Sequence, residues 1–173
     1  LELLRDSKKP LLLAGNGIKI AGGETALLRL LEQIPIPVQT TWKCIDLIGE
    51  DHPLYMGHPG IMGGRGDNLF LQQADLLISV GSRLDTSLTA FNEPNFAKNA
   101  KKVIVDIDPN ELKRMKMEKE VSLQEDARRF LEGLLELGAD KKLPIEAWKD
   151  WLDYGKTLRR TYPCVTEEQR AQT

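Results

Sequence analysis

The sequence predicts an α/β protein in which a parallel sheet lies between two layers of helices. The first observation is a set of short apolar runs, of which Leu76–Val80 and Val103–Ile107 are the clearest. Runs this short and this rich in Val, Ile and Leu are typical of strands buried on both faces. The second observation is that segments with helical spacing separate the runs, and this alternation recurs about five times. The third is that polar residues follow the runs abruptly, as at the carboxyl edge of an open parallel sheet.

The bulk composition is that of a globular domain and excludes several classes of function. The chain has 173 residues, of which 41% are hydrophobic and 29% charged, and its formal net charge is −2. Because the chain has no excess of basic residues to bind a phosphate backbone, we expect no nucleic-acid partner. Without an apolar run of about 18 residues we expect no membrane span. The N-terminus has no signal pattern and begins with Leu1 rather than Met, so we expect a cytoplasmic protein and a piece of a longer chain.

The two cysteines, Cys44 and Cys164, lie far apart and have no metal-ligand spacing around them. In a cytoplasmic protein this pattern favours two free thiols rather than a disulfide or a metal site.

The first third of the chain predicts two strands joined by a helix. Pro10–Ala14 is a buried-strand candidate that runs into Gly15-Asn16-Gly17, and Ile36–Thr41 is the second candidate. Between them, Glu24–Ile34 carries apolar residues at helical spacing and is ended by Pro35. The two glycines either serve only the dihedral angles of a strand-to-helix turn or present backbone N–H groups to an anion.

A long segment rich in Gly and Pro, Asp46–Gly66, precedes the next predicted helix, Asp67–Gln73. Loops of this length in a compact domain are usually functional. The segment holds both histidines, His52 and His58, and neither has a second ligand at metal-binding spacing. We therefore expect them to form hydrogen bonds within the loop rather than a metal site.

The second half of the chain continues the alternation. Asp108 is suited to cap a short helix with Pro109 at its first position. The remaining predicted elements are a helix at Asn110–Met117, a strand at Val121–Leu123, helices at Gln124–Leu137 and Pro144–Arg160, and an unstructured exit at Tyr162–Thr173. The last predicted helix differs from the others because its apolar residues stand among many charged ones. We expect Trp148 and Trp151 in it to be docking residues. We place a domain boundary there, between residues 1–143 and a C-terminal helix and linker over residues 144–173.

Several segments between Lys8 and Leu137 carry a resemblance to a known family. They are KKPLLLAGNGI, IPIPVQTT, HPLYMGHPGIMG, ADLLISVGSRLD and VIVDIDPNEL. In this unbroken order they resemble the central domain of thiamine-diphosphate-dependent enzymes, and the nearest group is the acetolactate synthase large subunit. Each segment alone is weakly specific, and their succession is what makes the match specific.

The resemblance implies a three-layer, doubly wound parallel sheet of about six strands, Rossmann-like, in the middle of a three-domain parent. Pyrimidine-binding and diphosphate-binding domains on either side would hold thiamine diphosphate and Mg²⁺, and the parent would be a homodimer or homotetramer. The parent is expected to decarboxylate a 2-oxo acid and transfer the product carbanion to a second carbonyl compound. No catalytic or metal-ligating residue is expected in this piece, and by itself it should be inactive.

In acetolactate synthases the central domain binds FAD, and the resemblance carries candidate cofactor-binding residues over to this chain. They follow the predicted strands or lie in the long loop: Gly15, Gly17, Thr41, Trp42, Gly60, Ile61, Met62, Gly81, Ser82, Arg83, Asp85, Asp106 and Ile107. Glycines and amides would meet a pyrophosphate, Arg83 would supply charge, and a carboxylate would accept ribose hydroxyls. The structural alternative is a local ion pair between Arg83 and Asp85.

Two segments depart from the family's pattern. Its Met-His-Gly reads Ile61-Met62-Gly63 here, and its Arg-Phe-Asp-Asp-Arg reads Arg83-Leu84-Asp85-Thr86-Ser87. These changes remove polar groups from the expected flavin cleft, so FAD, ADP and no nucleotide all stay open. A stand-alone FAD- or ADP-binding module of related fold, such as the electron-transfer-flavoprotein type, also stays open. A sirtuin type would need a catalytic histidine and zinc cysteines in arrangements that this sequence lacks.

Overall fold

The computed structural model describes residues 1–139 and 142–171 and contains one sheet of five parallel strands. The strands are β1 (Pro10–Ala14), β2 (Val38–Thr40), β3 (Leu76–Val80), β4 (Lys101–Asp106) and β5 (Val121–Gln124). They lie in the order β2-β1-β3-β4-β5, so the winding direction reverses between β1 and β3. The predicted doubly wound α/β class is confirmed, with five strands in the described residues where about six were expected.

Helices connect the strands and cover both faces of the sheet. They are α1 (Glu2–Asp6), α2 (Gly17–Ile20), α3 (Glu24–Gln33), α4 (Arg65–Gln73), α5 (Thr86–Thr89), α6 (Pro109–Arg114), α7 (Ala127–Gly138), α8 (Lys149–Thr161) and α9 (Glu167–Arg170), with 3₁₀ turns at Trp42–Leu47, Glu93–Asn95 and Ile145–Trp148. α2, α3 and α7 pack on one face, and α4, α6 and α8 pack on the other. Among the described residues no helix has both the length and the apolar character to cross a membrane.

Alternate residues of each central strand enter opposite cores. Leu12 and Ala14 belong to the core beneath α3 and α7, whereas Leu11 and Leu13 belong to the core beneath α4 and α8. All four side chains are completely buried. Because both faces of the sheet are covered, both sets of alternating positions are apolar, and the strand is a continuous apolar run in the sequence.

The strands predicted at Pro10–Ala14 and Leu76–Val80 are observed with these bounds, whereas other predicted elements are present with shifted ends. The strand predicted at Val103–Ile107 is observed as Lys101–Asp106. It stops there because Asp106 Oδ1 accepts the N–H of Asp108 at 3.0 Å and turns the chain, which leaves Ile107 outside the sheet. The other predicted elements, at Glu24–Ile34, Ile36–Thr41, Asp67–Gln73, Asn110–Met117, Val121–Leu123 and Gln124–Leu137, correspond to α3, β2, α4, α6, β5 and α7.

Both helices that follow strands in the second half begin at an aspartate cap. Asp108 Oδ1 accepts the N–H of Asn110 at 2.8 Å, which confirms the predicted cap of α6. Asp126 Oδ1 accepts the N–H of Arg129 at 3.0 Å and starts α7 three residues later than predicted, because Gln124 still pairs in β5.

The C-terminal segment packs into the same two cores as the rest of the chain. The indole N–H groups of Trp148 and Trp151 donate to the carbonyls of Ser7 and Pro10, at 3.0 and 2.9 Å. The Trp151 ring stacks on Phe70 with 3.9 Å between centroids. The two tryptophans therefore dock onto this chain itself, and the domain boundary at residue 143 stays a prediction.

The prediction of an unstructured exit over Tyr162–Thr173 is wrong for Glu167–Arg170, which form α9. Residues 172 and 173 of that predicted exit lie outside the described residues. As predicted, the two cysteines form no disulfide, and Cys44 is buried whereas Cys164 is exposed.

A candidate cleft at the carboxyl ends of the strands

The carboxyl ends of all five strands open onto one cleft of about 480 Å³, which we call the strand-end cleft. It lies where the winding direction of the sheet reverses, which is where open α/β sheets bind ligands. Nine of the thirteen candidate residues line it: Gly17, Thr41, Trp42, Gly81, Ser82, Arg83, Asp85, Asp106 and Ile107. The fold thus brings together residues that are up to 90 positions apart in the sequence, from Gly17 to Ile107.

The other four candidates lie outside the lining of the cleft. Gly15 is packed beneath it, and Gly60, Ile61 and Met62 lie in the long loop. The N–H of Ile61 donates to the carbonyl of Ser87 at 2.9 Å, so the loop is tied to α5 beside the cleft. The side chains of Ile61 and Met62 are 54% and 75% exposed, and they extend into solvent instead of into the cleft.

Glycines form the floor of the cleft because two turns are in backbone contact there. A Cβ on Gly15 would lie 2.2 Å from the carbonyl oxygen of Gly81. A Cβ on Gly17 would lie 2.8 Å from the Cα of Gly81. The N–H groups of Gly15 and Gly17 donate to the carbonyls of Val80 and Gly81, both at 2.9 Å. These two N–H groups are therefore engaged within the fold, and the close backbone approach requires glycine at both positions.

The turn after β3 holds an unusual run of left-handed backbone. Gly81, Arg83 and Leu84 have φ values of +58°, +61° and +45°. For the two residues that carry side chains this costs on the order of 1 kcal/mol each, and such strain persists only where surrounding contacts enforce it. Here the guanidinium of Arg114 donates to the carbonyl of Arg83 at 2.7 Å. Backbone strain of this kind clusters at functional sites.

Asp85 ends this turn by capping α5. Its Oδ1 accepts the N–H groups of Ser87 and Leu88, both at 3.1 Å, and the hydroxyl of Ser87 at 2.5 Å. Burial alone would raise the pKa of Asp85, but these hydrogen bonds together hold it below its ordinary value. The carboxylate is thus fixed in its charged form at the edge of the cleft.

Arg83 pairs with Glu111 of α6, and the suggested ion pair with Asp85 is wrong. Its Nε lies 2.9 Å from Glu111 Oε1, while Arg114 contacts the second carboxylate oxygen of Glu111. Burial would raise the pKa of Glu111, but the hydrogen bonds from Arg114 and Arg83 hold it below its ordinary value. The side chain of Arg83 is 67% exposed, so it can move toward a ligand.

Carboxylates outnumber cations along the cleft. The acidic residues are Asp85, Asp106, Asp108, Glu111, Glu125 and Asp126, and the basic ones are Lys43 and Arg83. Sequence reasoning missed Glu125 and Asp126, although they follow a predicted strand and the strand-end rule applied to Val121–Leu123 would have found them. The cleft therefore offers many acceptors for ligand hydroxyls and few charges for phosphates. The half-exposed Trp42 ring adds apolar surface at the rim.

Comparison with known proteins shows which family and which proteins this sequence resembles. Residues 1–134 match the family described as thiamine pyrophosphate enzyme, central domain. The acetolactate synthase large subunit of Corynebacterium glutamicum is 38% identical over 168 residues, which are 97% of this chain and 26% of that protein. The probable acetolactate synthase large subunit of Methanocaldococcus jannaschii is 35% identical over 152 residues, 88% of this chain and 25% of that protein.

A third relative, the acetolactate synthase isozyme 2 large subunit of Escherichia coli, is 31% identical over 158 residues, which are 91% of this chain and 27% of that protein. The chain thus spans about a quarter of the length of these relatives.

Proposed function

The chain belongs to the family of thiamine pyrophosphate enzyme central domains, and we propose that its strand-end cleft binds an adenine nucleotide, as ADP or as the ADP moiety of FAD. One observation carries this proposal. Nine of the candidate residues taken from the family's motifs come from the ends of four different strands, and they meet in one cleft where the winding direction of the sheet reverses. The names of the relatives support an acetolactate synthase-like parent.

The dimensions and chemistry of the cleft support a nucleoside as occupant. Its volume of about 480 Å³ is in the range of small-molecule sites, which is about 300–1,000 Å³. The carboxylates of Asp85 and Asp106 supply acceptors for ribose hydroxyls, as acidic residues do in nucleotide-binding sheets. Trp42 and Ile107 offer exposed apolar surface to a purine ring.

The charges of the cleft predict modest affinity for the diphosphate. Among the described residues, Lys43 and Arg83 are the cations that line the cleft, and Arg83 shares its charge with Glu111. A diphosphate must compete with that carboxylate for the guanidinium. Removing the charge of Glu111 should therefore strengthen nucleotide binding, and removing Arg83 should weaken it.

For the intact enzyme we propose that pyrimidine-binding and diphosphate-binding domains of the same chain hold thiamine diphosphate and Mg²⁺. When bound there, thiamine diphosphate would stabilise the negative charge that loss of CO₂ leaves on a 2-oxo acid, so that the remaining acyl unit could be transferred to a second carbonyl compound. The residues described here contribute the rigid sheet and the strand-end cleft. We further propose that the intact enzyme is a cytoplasmic homodimer or homotetramer. In it, the segment from residue 144 onward would link the residues before it to the diphosphate-binding domain.

The test is calorimetric titration of ADP and FAD into the 173-residue chain and into the intact parent. Arg83→Ala should weaken ADP binding by about tenfold, the equivalent of one charged hydrogen bond. Glu111→Gln should strengthen it. Lys156→Ala serves as the control, because Lys156 forms an ion pair with Asp153 on α8, away from the cleft, and its loss should leave nucleotide affinity unchanged.

Absence of ADP and FAD binding in the intact parent would refute the proposed role of the cleft, as would equal affinities in wild type and Arg83→Ala. The parent's activity is tested separately, by its formation of acetolactate from pyruvate. Turnover that needs neither thiamine diphosphate nor Mg²⁺ would contradict that part of the proposal. Tight FAD binding by the 173-residue chain alone, together with no thiamine-dependent activity in the intact protein, would favour the stand-alone flavin-binding module.

A further inference from the structure

A second recess, of about 870 Å³, lies between the long loop and α8, and we call it the His58 groove. Three side chains with metal-ligand atoms meet in its wall: His58 of the long loop, Asp67 of α4 and Cys164 after α8. Their ligand atoms all lie within 4.8 Å of one another. His58 and Cys164 are 106 positions apart, so sequence spacing gives no sign of this cluster.

The carboxylate of Asp67 is held rigidly and is buried. Oδ2 accepts the backbone N–H of His58 at 3.0 Å. Gly57, with φ of +81°, passes so close that a Cβ on it would lie within 2.3 Å of the Asp67 carboxyl group. The loop therefore wraps closely around this carboxylate, as a preorganised ligand requires.

This buried carboxylate has no full cationic partner among the described residues. Its one ion-pair contact there is with His58 Nδ1, at 4.0 Å. The nearby guanidinium of Arg159 donates instead to the carbonyls of Glu50 and Tyr55, at 3.1 and 3.0 Å. A buried charge without a close partner is unfavourable, and a cation bound beside Asp67 would remove that cost.

We propose that His58, Asp67 and Cys164 form a site for a divalent cation of the zinc class. A thiolate, an imidazole and a carboxylate together select borderline-soft cations, whereas Mg²⁺ and Ca²⁺ prefer oxygen ligands alone. Three protein ligands leave the fourth tetrahedral position open toward the groove, where water or a small ligand can bind. Lys156, Arg159 and Arg160 line the same groove and are balanced there by Asp46, Glu50 and Asp51.

The proposed site needs only a small contraction of the cluster. Metal–ligand bonds of about 2.0–2.3 Å place tetrahedral ligand atoms roughly 3.3–3.8 Å apart. His58 Nδ1 and Asp67 Oδ2 are already 4.0 Å apart, and the Sγ atom of Cys164 lies within 4.8 Å of the other ligand atoms. Binding replaces the thiol proton of Cys164 by the metal and ties the segment after α8 to the loop before α4.

The experiment uses Co²⁺ as a spectroscopic substitute for Zn²⁺, added to the 173-residue chain after chelation and with a non-thiol reductant. We expect one Co²⁺ per chain, a thiolate-to-cobalt charge-transfer band in the near ultraviolet, and loss of the band when Zn²⁺ is added. Cys164→Ser should abolish the band. His58→Gln should weaken binding by at least about tenfold, the loss that even outer-shell partners of a metal ligand produce. His52→Gln is the control, since His52 lines the same groove without joining the cluster.

Absence of the band at saturating Co²⁺ would overturn the proposal. Persistence of the band in Cys164→Ser would do the same, because the thiolate would then be Cys44. Cys164 is exposed, so this substitution should keep the fold, and circular dichroism verifies that. As a second measurement, Zn²⁺ should raise the Tm of the wild type and leave that of Cys164→Ser unchanged.

Discussion

The strand-end cleft and the His58 groove are built in different ways. The cleft is lined by residues that follow strands directly, and its floor is backbone packed on backbone at Gly15 and Gly81. The groove is closed by a helix, α8, which is held in place by the burial of Trp151 against Phe70. The cleft thus depends on the sheet itself, whereas the groove depends on side chains that meet across long sequence separations.

This difference determines how each recess responds to substitution. Strand ends are placed by hydrogen bonds along the whole sheet, so a cleft built from them is insensitive to most single side chains and sensitive to its glycines. A groove walled by a docked helix depends on one or two large buried contacts.

Trp151→Ala should reduce the free energy of unfolding by about 3–5 kcal/mol, the usual cost of removing a large buried aromatic side chain. Trp151 is 4% exposed, stacks on Phe70 and donates to the carbonyl of Pro10. Urea unfolding followed by circular dichroism gives the value. Tyr154→Ala on the same helix is the matched control, because Tyr154 is 40% exposed and its loss should cost much less. Equal costs for the two variants would show that Trp151 does not anchor the wall of the groove.

Gly15→Ala should destabilise the protein by about 1–3 kcal/mol, because its Cβ would overlap the backbone of Gly81 and push apart the two turns beneath the cleft. Gly133→Ala is the control, since nothing lies within 4 Å of a Cβ there and the helix α7 should gain about 0.5–1 kcal/mol. The same urea experiment measures both. A neutral Gly15→Ala would mean that the floor of the cleft can relax.

Asp85→Ala should cost about 1–2 kcal/mol at pH 7 through loss of the α5 cap. Because folding lowers the pKa of Asp85, its charge stabilises the protein above the ordinary pKa near 3.8, and that contribution is lost as the pH falls through the lower folded value. The difference between wild type and variant should therefore shrink from pH 7 to pH 3. A difference of the same size at both pH values would contradict the charged cap.

The ion pair between Arg83 and Glu111 should contribute least. Arg83 is 67% exposed, and exposed pairs typically couple by about 0.2–1 kcal/mol. A double-mutant cycle with Arg83→Ala and Glu111→Ala measures the coupling, which should fall in high salt. A coupling above about 2 kcal/mol would mean that Arg83 is held too firmly to turn toward a nucleotide.

Much of the cleft could be predicted from the sequence because its signals are local. A strand leaves a continuous apolar run, and the residues that line the cleft come within a few positions of its end, as Gly81–Asp85 follow Leu76–Val80. The cap at Asp108 is likewise a local pattern with a local hydrogen bond. The partners of those residues were not predictable, since the pairing of Arg83 with Glu111 depends on how α6 lies across the sheet.

The sequence by itself determined the order of strands and helices, the burial of both faces of the sheet and the family, because each is written in spacing or in successive motifs. Only the tertiary structure decided which strand ends are neighbours, what the glycines of the first turn contact, and that Trp151 packs within this chain. It also decided that His58, Asp67 and Cys164 meet. The reason is physical: contacts between distant residues depend on how helices settle onto the sheet, and no short-range period in the chain encodes that.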